Sequence, residues 1–184
     1  MTDADLIARI LAGDAAAERR LYDRHVERVW RLAYRMTGET ALAEDAVQDT
    51  FVRAFDRLRD FRGDGSFEGW LHRITTTVVL GHLRRRRRRR DHETGHEDVA
   101  VLPEPAPQPD FDLRRRIDRA VAELDTNHRL VFVMHDLEGY THQEIADAMG
   151  TPVGTAKARL SRARARLRDL LTGGPGRLAV AEQD

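Results

Sequence analysis

The sequence predicts an all-α protein of two small helical domains joined by a flexible, acidic, Pro-rich linker, the second domain ending in a helix-turn-helix. Three observations predict it. Apolar residues recur at three- and four-residue spacing along most of the chain, in blocks bounded by capping residues and glycines. Between residues 91 and 112 that period stops. Pro103, Pro105, Pro107 and Pro109 alternate there among acids with no Lys or Arg, which excludes helix and favours extended, solvated backbone. Beyond it, two helical patterns meet at a tight turn around Gly150, and the second carries a basic face.

Each element follows from its own residues. Asp3 to Leu11 puts Leu6, Ile7, Ile10 and Leu11 on one stripe, ended by Gly13. Asp14 can cap a second helix to Met36 that carries Leu21, Tyr22, Val29, Leu32 and Ala33, ended by Gly38. A third helix spans Thr40 to Leu58, with Val47, Phe51, Ala54, Phe55 and Leu58 inward and Asp45, Gln48, Asp49 and Arg53 outward. FRGDGSF, residues 61 to 67, is a loop with two glycines and aromatic ends, and its Ser66 can cap the fourth helix. That helix carries Trp70, Leu71, Ile74, Val78 and Leu83 on its apolar side; Thr75 to Leu80 is β-branched, but the flanking period reads as helix. The helix runs into seven arginines, Arg84 to Arg90. The first domain is therefore 1–90, the linker 91–112, the second domain 113–171 and a flexible tail 172–184.

In the second domain, Leu113 to Leu124 and Asn127 to Leu137 read as helices, the latter with Leu130, Val131, Val133 and Met134 apolar and Gly139 closing it. Thr141 and Glu144 form a capping box, with Tyr140 and Ile145 placed as a hydrophobic staple. Gly150 supplies the left-handed residue that stops that helix after Met149. Thr151 can cap the last helix with Pro152 at its first position. Val153, Ala156, Leu160, Ala163, Leu167 and Leu170 form the buried side of that helix.

Composition narrows the function. No cysteine is present, which excludes disulfides, thiolate metal sites and cysteine nucleophiles. No HExxH pair, phosphate loop, paired-carboxylate or Ser–His–Asp arrangement stands out, so neither an enzyme, a metal nor a cofactor is expected. The first residues lack a signal-peptide core, and no apolar run approaches the ~20 residues of a membrane span. A cytoplasmic protein without membrane insertion is the expectation. The formal net charge of zero conceals segregation: Arg84–Arg90 and Lys157–Arg168 are basic blocks around an acidic spacer. Such blocks fit a polyanion.

Thr155, Lys157, Arg159, Arg162, Arg164 and Arg166 lie opposite the apolar stripe of the last helix, where arginine forks match guanine edges and phosphates. The alternative, a solvated basic helix, sits poorly with the capped turn just upstream. The arginine run alone is a less specific signal. Coupled to the aromatic-flanked loop, it becomes a candidate single-strand site. The Asp45–Gln48–Asp49 face by itself reads as ordinary wet surface, Trp70 as core, and His72, His82 and His142 as surface polar groups. RGD at residues 62 to 64 is discounted as an adhesion tripeptide.

These residues resemble a known family. LEGYTHQEIADAMGTPVGTAKARLSRARARLR, AEDAVQDTFVRAF and SFEGWLHRI, in this chain's order, are similar to motifs of the extracytoplasmic-function (group IV) sigma factors of bacterial RNA polymerase, and the likeness covers residues 4 to 171. The resemblance implies a two-domain helical factor that binds core polymerase and directs it to −35/−10 promoters. It implies that Asp45, Gln48, Asp49 and Arg53 meet the β′ clamp helices, with the β flap as a further polymerase contact. Phe61, Arg62, Gly63, Asp64, Ser66 and Phe67 would capture a flipped −10 base, and Thr77, Gly81, His82, Arg84 and Arg85 would read and hold the −10 region. Thr155, Lys157, Ala158, Arg159, Ser161 and Arg162 would contact the −35 element, with Arg164 on phosphate. An anti-sigma factor is an implied partner. Thr77 stands where the family usually has Asn and Gly81 where it has Asp, so the −10 preference is this chain's own. A stand-alone helix-turn-helix regulator is the alternative, and it needs no acidic face on the third helix.

Overall fold

The computed structural model describes residues 1–92 and 113–172, and among them every regular element is helical. The chain divides into two compact units, one holding the first stretch and one the second. Most of the expected linker, residues 93–112, and the tail from residue 173 lie outside the described residues.

In the first unit α1 (Asp3–Leu11), α2 (Ala15–Thr37), α3 (Thr40–Asp56) and α4 (Phe67–His92) are joined by short turns. Asp14 accepts from the amides of Ala16 and Ala17 and so starts α2, while Gly38 at φ 72° stops it. A capping box that the sequence reading did not name starts α1: Thr2 and Asp5 exchange side-chain bonds with each other's amides. α2, α3 and α4 pack on one another, and α1 lies along α2. Their shared core is Leu6, Leu21, Val29, Met36, Phe51, Leu71, Val78 and Val79, each no more than 4% exposed.

Several expectations shift. Leu11 is 46% exposed because α1 ends there, with no further turn to cover it. α3 stops at Asp56, and Leu58 reaches the core from a 3₁₀ turn, Leu58–Asp60, instead. Thr75–Leu80 is helical as read; Thr75 donates its hydroxyl to the Leu71 carbonyl at 2.9 Å, which lets a buried β-branched polar residue sit there. α4 runs two residues past the expected end of the domain, to His92.

The second unit contains α5 (Leu113–Ala122), α6 (Thr126–Phe132), α7 (His142–Met149) and α8 (Val153–Thr172). The expected single helix to Leu137 is in fact α6 followed by a π turn, Val133–Leu137, where the Tyr140 amide reaches back to the Met134 carbonyl at 2.9 Å. α5, α6 and α7 all pack on α8. Val121, Val131, Met134, Ile145, Ala156 and Ala163 are fully buried between them. Arg129 is buried too, donating to the carbonyls of Ala122 at 3.0 Å and Leu124 at 3.3 Å, so a charged side chain closes the end of α5.

Candidate nucleic-acid interface

The Thr141–Glu144 capping box is formed as read, and Gly150 at φ 62° turns the chain toward α8. The next cap differs. α8 begins at Val153, the amides of Thr155 and Ala156 donate to the Pro152 carbonyl, and the buried Thr151 hydroxyl has no hydrogen-bond partner. Proline therefore occupies the capping position itself, one residue later than expected.

With Ala156, Leu160, Ala163 and Leu167 inward, α8 exposes Lys157, Ala158, Ser161, Arg162, Arg164 and Arg166, and half exposes Thr155 and Arg159. Lys157, Arg159 and Arg162 form no ion pair with a described residue. Arg164 differs from them. Its Nε and Nη2 donate to the two oxygens of Asp136 at 2.9 and 2.6 Å, so this guanidinium ties α8 to the π turn. The Arg164 bonds, with a smaller contribution from His135, hold the Asp136 carboxyl below its usual range. His135 in turn stacks on His142 with ring centroids 4.5 Å apart. Burial, then the positive charges of His135, Lys157 and Arg164, push the His142 imidazole below its ordinary value.

In the first unit, Arg62, Gly63, Asp64 and Ser66 are exposed in the loop, and the Gly65 amide closes a tight turn onto the Gly63 carbonyl at 2.8 Å. Gly63 at φ 79° and Gly65 at φ 132° take backbone that a side chain would strain. Ser66 Oγ accepts from the Gly69 amide at 3.1 Å and starts α4 as expected. The aromatic roles change. Phe67 is only 4% exposed and packs edge-on against buried His25, so it anchors the loop from inside. Phe61 and Trp70, both half-buried and each 5.5–5.6 Å from Phe67 by ring centroid, are the rings that reach the surface. Trp70 was expected in the core; its position one turn into α4 places it at the loop's edge instead.

Loop and arginine run sit at opposite ends of α4, about 25 Å apart at 1.5 Å per residue. A stripe joins them: Trp70, Arg73, Thr77, Gly81, Arg84 and Arg88 follow at helical spacing, with Arg73, Thr77, Arg84 and Arg88 exposed. Arg73 was not singled out from the sequence, though counting back one turn from Thr77 finds it.

On α3, Asp45, Gln48 and Arg53 are exposed and Asp49 is half so, with Val52 60% exposed among them. Asp49 is not a bare surface acid. Its Oδ2 lies 2.9 Å from His82 Nε2 and 3.9 Å from Arg85 Nη2, both on α4. Glu39, just before α3, takes both of its oxygens to Arg86 at 2.5 Å. These ties bracket a groove of about 490 Å³ lined by Glu39, Leu42, Asp45, His82, Arg85 and Arg89, among others. His82, like His72 and His142, is half-buried, not fully at the surface.

Among the described residues no cluster of His, Asp and Glu has the makings of a metal site, and no helix is long and apolar enough to cross a membrane.

Residues 21–89 match the family described as Sigma-70 region 2, and residues 114–167 that described as Sigma-70, region 4. The chain is 40% identical over 156 residues to the ECF RNA polymerase sigma factor SigE of Mycolicibacterium smegmatis, covering 82% of this chain and 60% of that relative. It is 37% identical over 172 residues to ECF RNA polymerase sigma factor SigM of Mycobacterium tuberculosis, covering 92% of this chain and 85% of SigM. Among solved structures, the sigma factor RpoE in complex with the anti-sigma factor NepR from Bartonella quintana is similar with a TM-score of 0.56 and 25% identity, over 84% of this chain and 96% of RpoE. With region 2 and region 4 in order on two separate helical units, and a match to SigM spanning most of both chains, the protein belongs to the ECF sigma factors of the sigma-70 family, which direct RNA polymerase to promoters.

Proposed function

We propose that the chain binds core RNA polymerase through the outer face of α3 and reads a promoter at two points. α8 meets the −35 duplex through Thr155, Lys157, Ala158, Arg159, Ser161 and Arg162. The loop from Phe61 to Phe67, with Trp70 beside it, takes a −10 base of the opened strand, and the α4 stripe holds the strand beyond. The reading involves no catalytic step and no cofactor, and it puts the protein in the bacterial cytoplasm with polymerase. By likeness to RpoE with NepR, an anti-sigma factor is its regulator.

The observation that carries this reading is the division of charge between faces. Lys157, Arg159 and Arg162 of α8 have no acid to pair with among the described residues, as a phosphate-facing helix requires, while α3 shows acids to a different partner. Arg164, on the same exposed side as Lys157, is taken up by Asp136 and is assigned to steadying α8 against the π turn before any phosphate contact.

Run-off transcription with core polymerase and a genomic promoter library tests the whole assignment. Asp45→Arg should abolish polymerase capture while leaving α8 binding to duplex DNA intact. Asp45 is the better site because reversing Asp49 also breaks its bond to His82. Unchanged capture would favour a stand-alone DNA-binding regulator.

A further inference from the structure

The seven arginines after Leu83 read as one phosphate patch in sequence, yet helical phase and the acids of α3 separate five of them into two sets. His82, Arg85, Arg86 and Arg89 recur at i, i+3, i+4 and i+7 and turn toward α3. There Asp49 takes His82 and approaches Arg85, Glu39 takes Arg86, and Arg89 lines the groove that Asp45 also lines. Thr77, Gly81, Arg84 and Arg88 recur at i, i+4, i+7 and i+11, on a face roughly 120° away at 100° per residue. That second face is continuous with Arg73, Trp70 and the loop.

Resting on the sigma-factor reading above, we propose that the run is two surfaces with different partners. Arg84 and Arg88 extend the −10 stripe and meet DNA phosphates. Arg85, Arg86 and Arg89, with His82, belong to the polymerase-binding face: His82, Arg85 and Arg86 are positioning residues that face the Asp49 and Glu39 carboxylates, and Arg89 extends the same wall of a mixed-charge groove, beside which core polymerase docks. Arg85 and His82 are thereby reassigned from the −10 contacts. Two physical reasons favour the division. Arg85 and Arg86 already face carboxylates and must give up those contacts to reach a phosphate, whereas Arg88 has no such competitor among the described residues; Arg89 is assigned by its helical phase and its place in the groove wall. A rigid helix cannot turn both stripes to one strand.

The test uses the full-length chain with core polymerase and promoter DNA carrying a pre-opened −10 bubble. Two double variants, R84A/R88A and R85A/R89A, are compared for core capture and for the salt dependence of DNA binding by the holoenzyme. R84A/R88A should lower the slope of log K against log salt by nearly one for each phosphate no longer neutralised, about 1.4–1.8 for both, with wild-type core capture. R85A/R89A should keep the wild-type slope and weaken core capture about fivefold to tenfold. Equal loss of slope from both pairs would make the run an undivided phosphate patch and overturn the proposal. So would an R85A/R89A chain that captures polymerase as wild type does. If alanine at either pair lowers the melting temperature, the glutamine variants R84Q/R88Q and R85Q/R89Q repeat the comparison on folded protein. A wild-type chain that captures no core polymerase would instead remove the sigma-factor reading; the division is then scored on free-chain binding to the same DNA, where equal slope losses again overturn it.

Discussion

Gly81 and His142 show how single residues carry testable energies in this chain. Gly81 lies inside α4, where glycine's backbone freedom costs a helix about 1 kcal/mol relative to alanine. A Cβ placed there meets nothing closer than Arg85 Nη1 at 4.0 Å. Gly81→Ala should therefore stabilise the first unit by roughly 0.5–1 kcal/mol in urea unfolding; destabilisation would mean that the stripe needs an open backbone at that turn. His142 acts in the opposite sense. Its imidazole is held below the ordinary value of 6.5 by burial and by neighbouring cations, so the folded chain binds this proton less readily than the unfolded one. Stability from this group is complete above 6.5 and is lost as pH falls from there through the folded value. Thermal unfolding followed from about pH 8 to about pH 5 should show that decline, and His142→Gln should flatten it. A wild-type profile without a histidine-range slope would contradict the assignment.

At the scale of elements, the two turns of the helix-turn-helix give opposite predictions for two threonines. Thr141 accepts from the Glu144 amide at 3.2 Å while Glu144 accepts from the Thr141 amide at 2.8 Å, so Thr141→Ala should cost about 1 kcal/mol. Thr151 caps nothing and buries its hydroxyl without a partner, so Thr151→Val should fall within about 0.5 kcal/mol of wild type or exceed it. Chemical denaturation of both variants separates a side-chain cap from a proline cap. The pair also marks what is legible in the sequence. Caps that act within three residues, at Asp14, Ser66, Thr141 and Gly150, are readable because the signal and its effect are local. The Thr151–Pro152 register is off by one residue, since both positions offer an acceptable start. The π turn leaves no mark in apolar spacing, and buried Arg129 looks like any surface arginine until its carbonyl partners are seen. Asp49 and His82 stand 33 residues apart, so no helical period could join them. The basic face of α8 and the loop-to-arginine stripe of α4 are legible as faces; which arginines are already engaged is not.

On the scale of the whole molecule, the zero net charge conceals two helical units that are each net basic and each possess a core, balanced by the acids of residues 93–112. The second unit is the smaller, and a domain of about 60 residues buries only about 60% of the surface its unfolded chain exposes. Its stability rests on α8, the helix that α5, α6 and α7 all pack against, so the surface proposed to meet the −35 element is also the spine of the fold. Neither unit is expected to select promoters strongly alone. Their product requires the covalent connection, which makes binding of the second unit intramolecular; linked modules reach effective concentrations near millimolar. Residues 1–92 and residues 113–172, produced separately and each checked for cooperative unfolding, should support run-off transcription in trans about 10²–10⁴-fold less well than the intact chain at equal concentration. The deficit should shrink as the 113–172 fragment is raised toward millimolar, because only the tether has been removed. Fragments that match the intact chain at micromolar concentration would show that one unit, bound to polymerase, reads the promoter without the other.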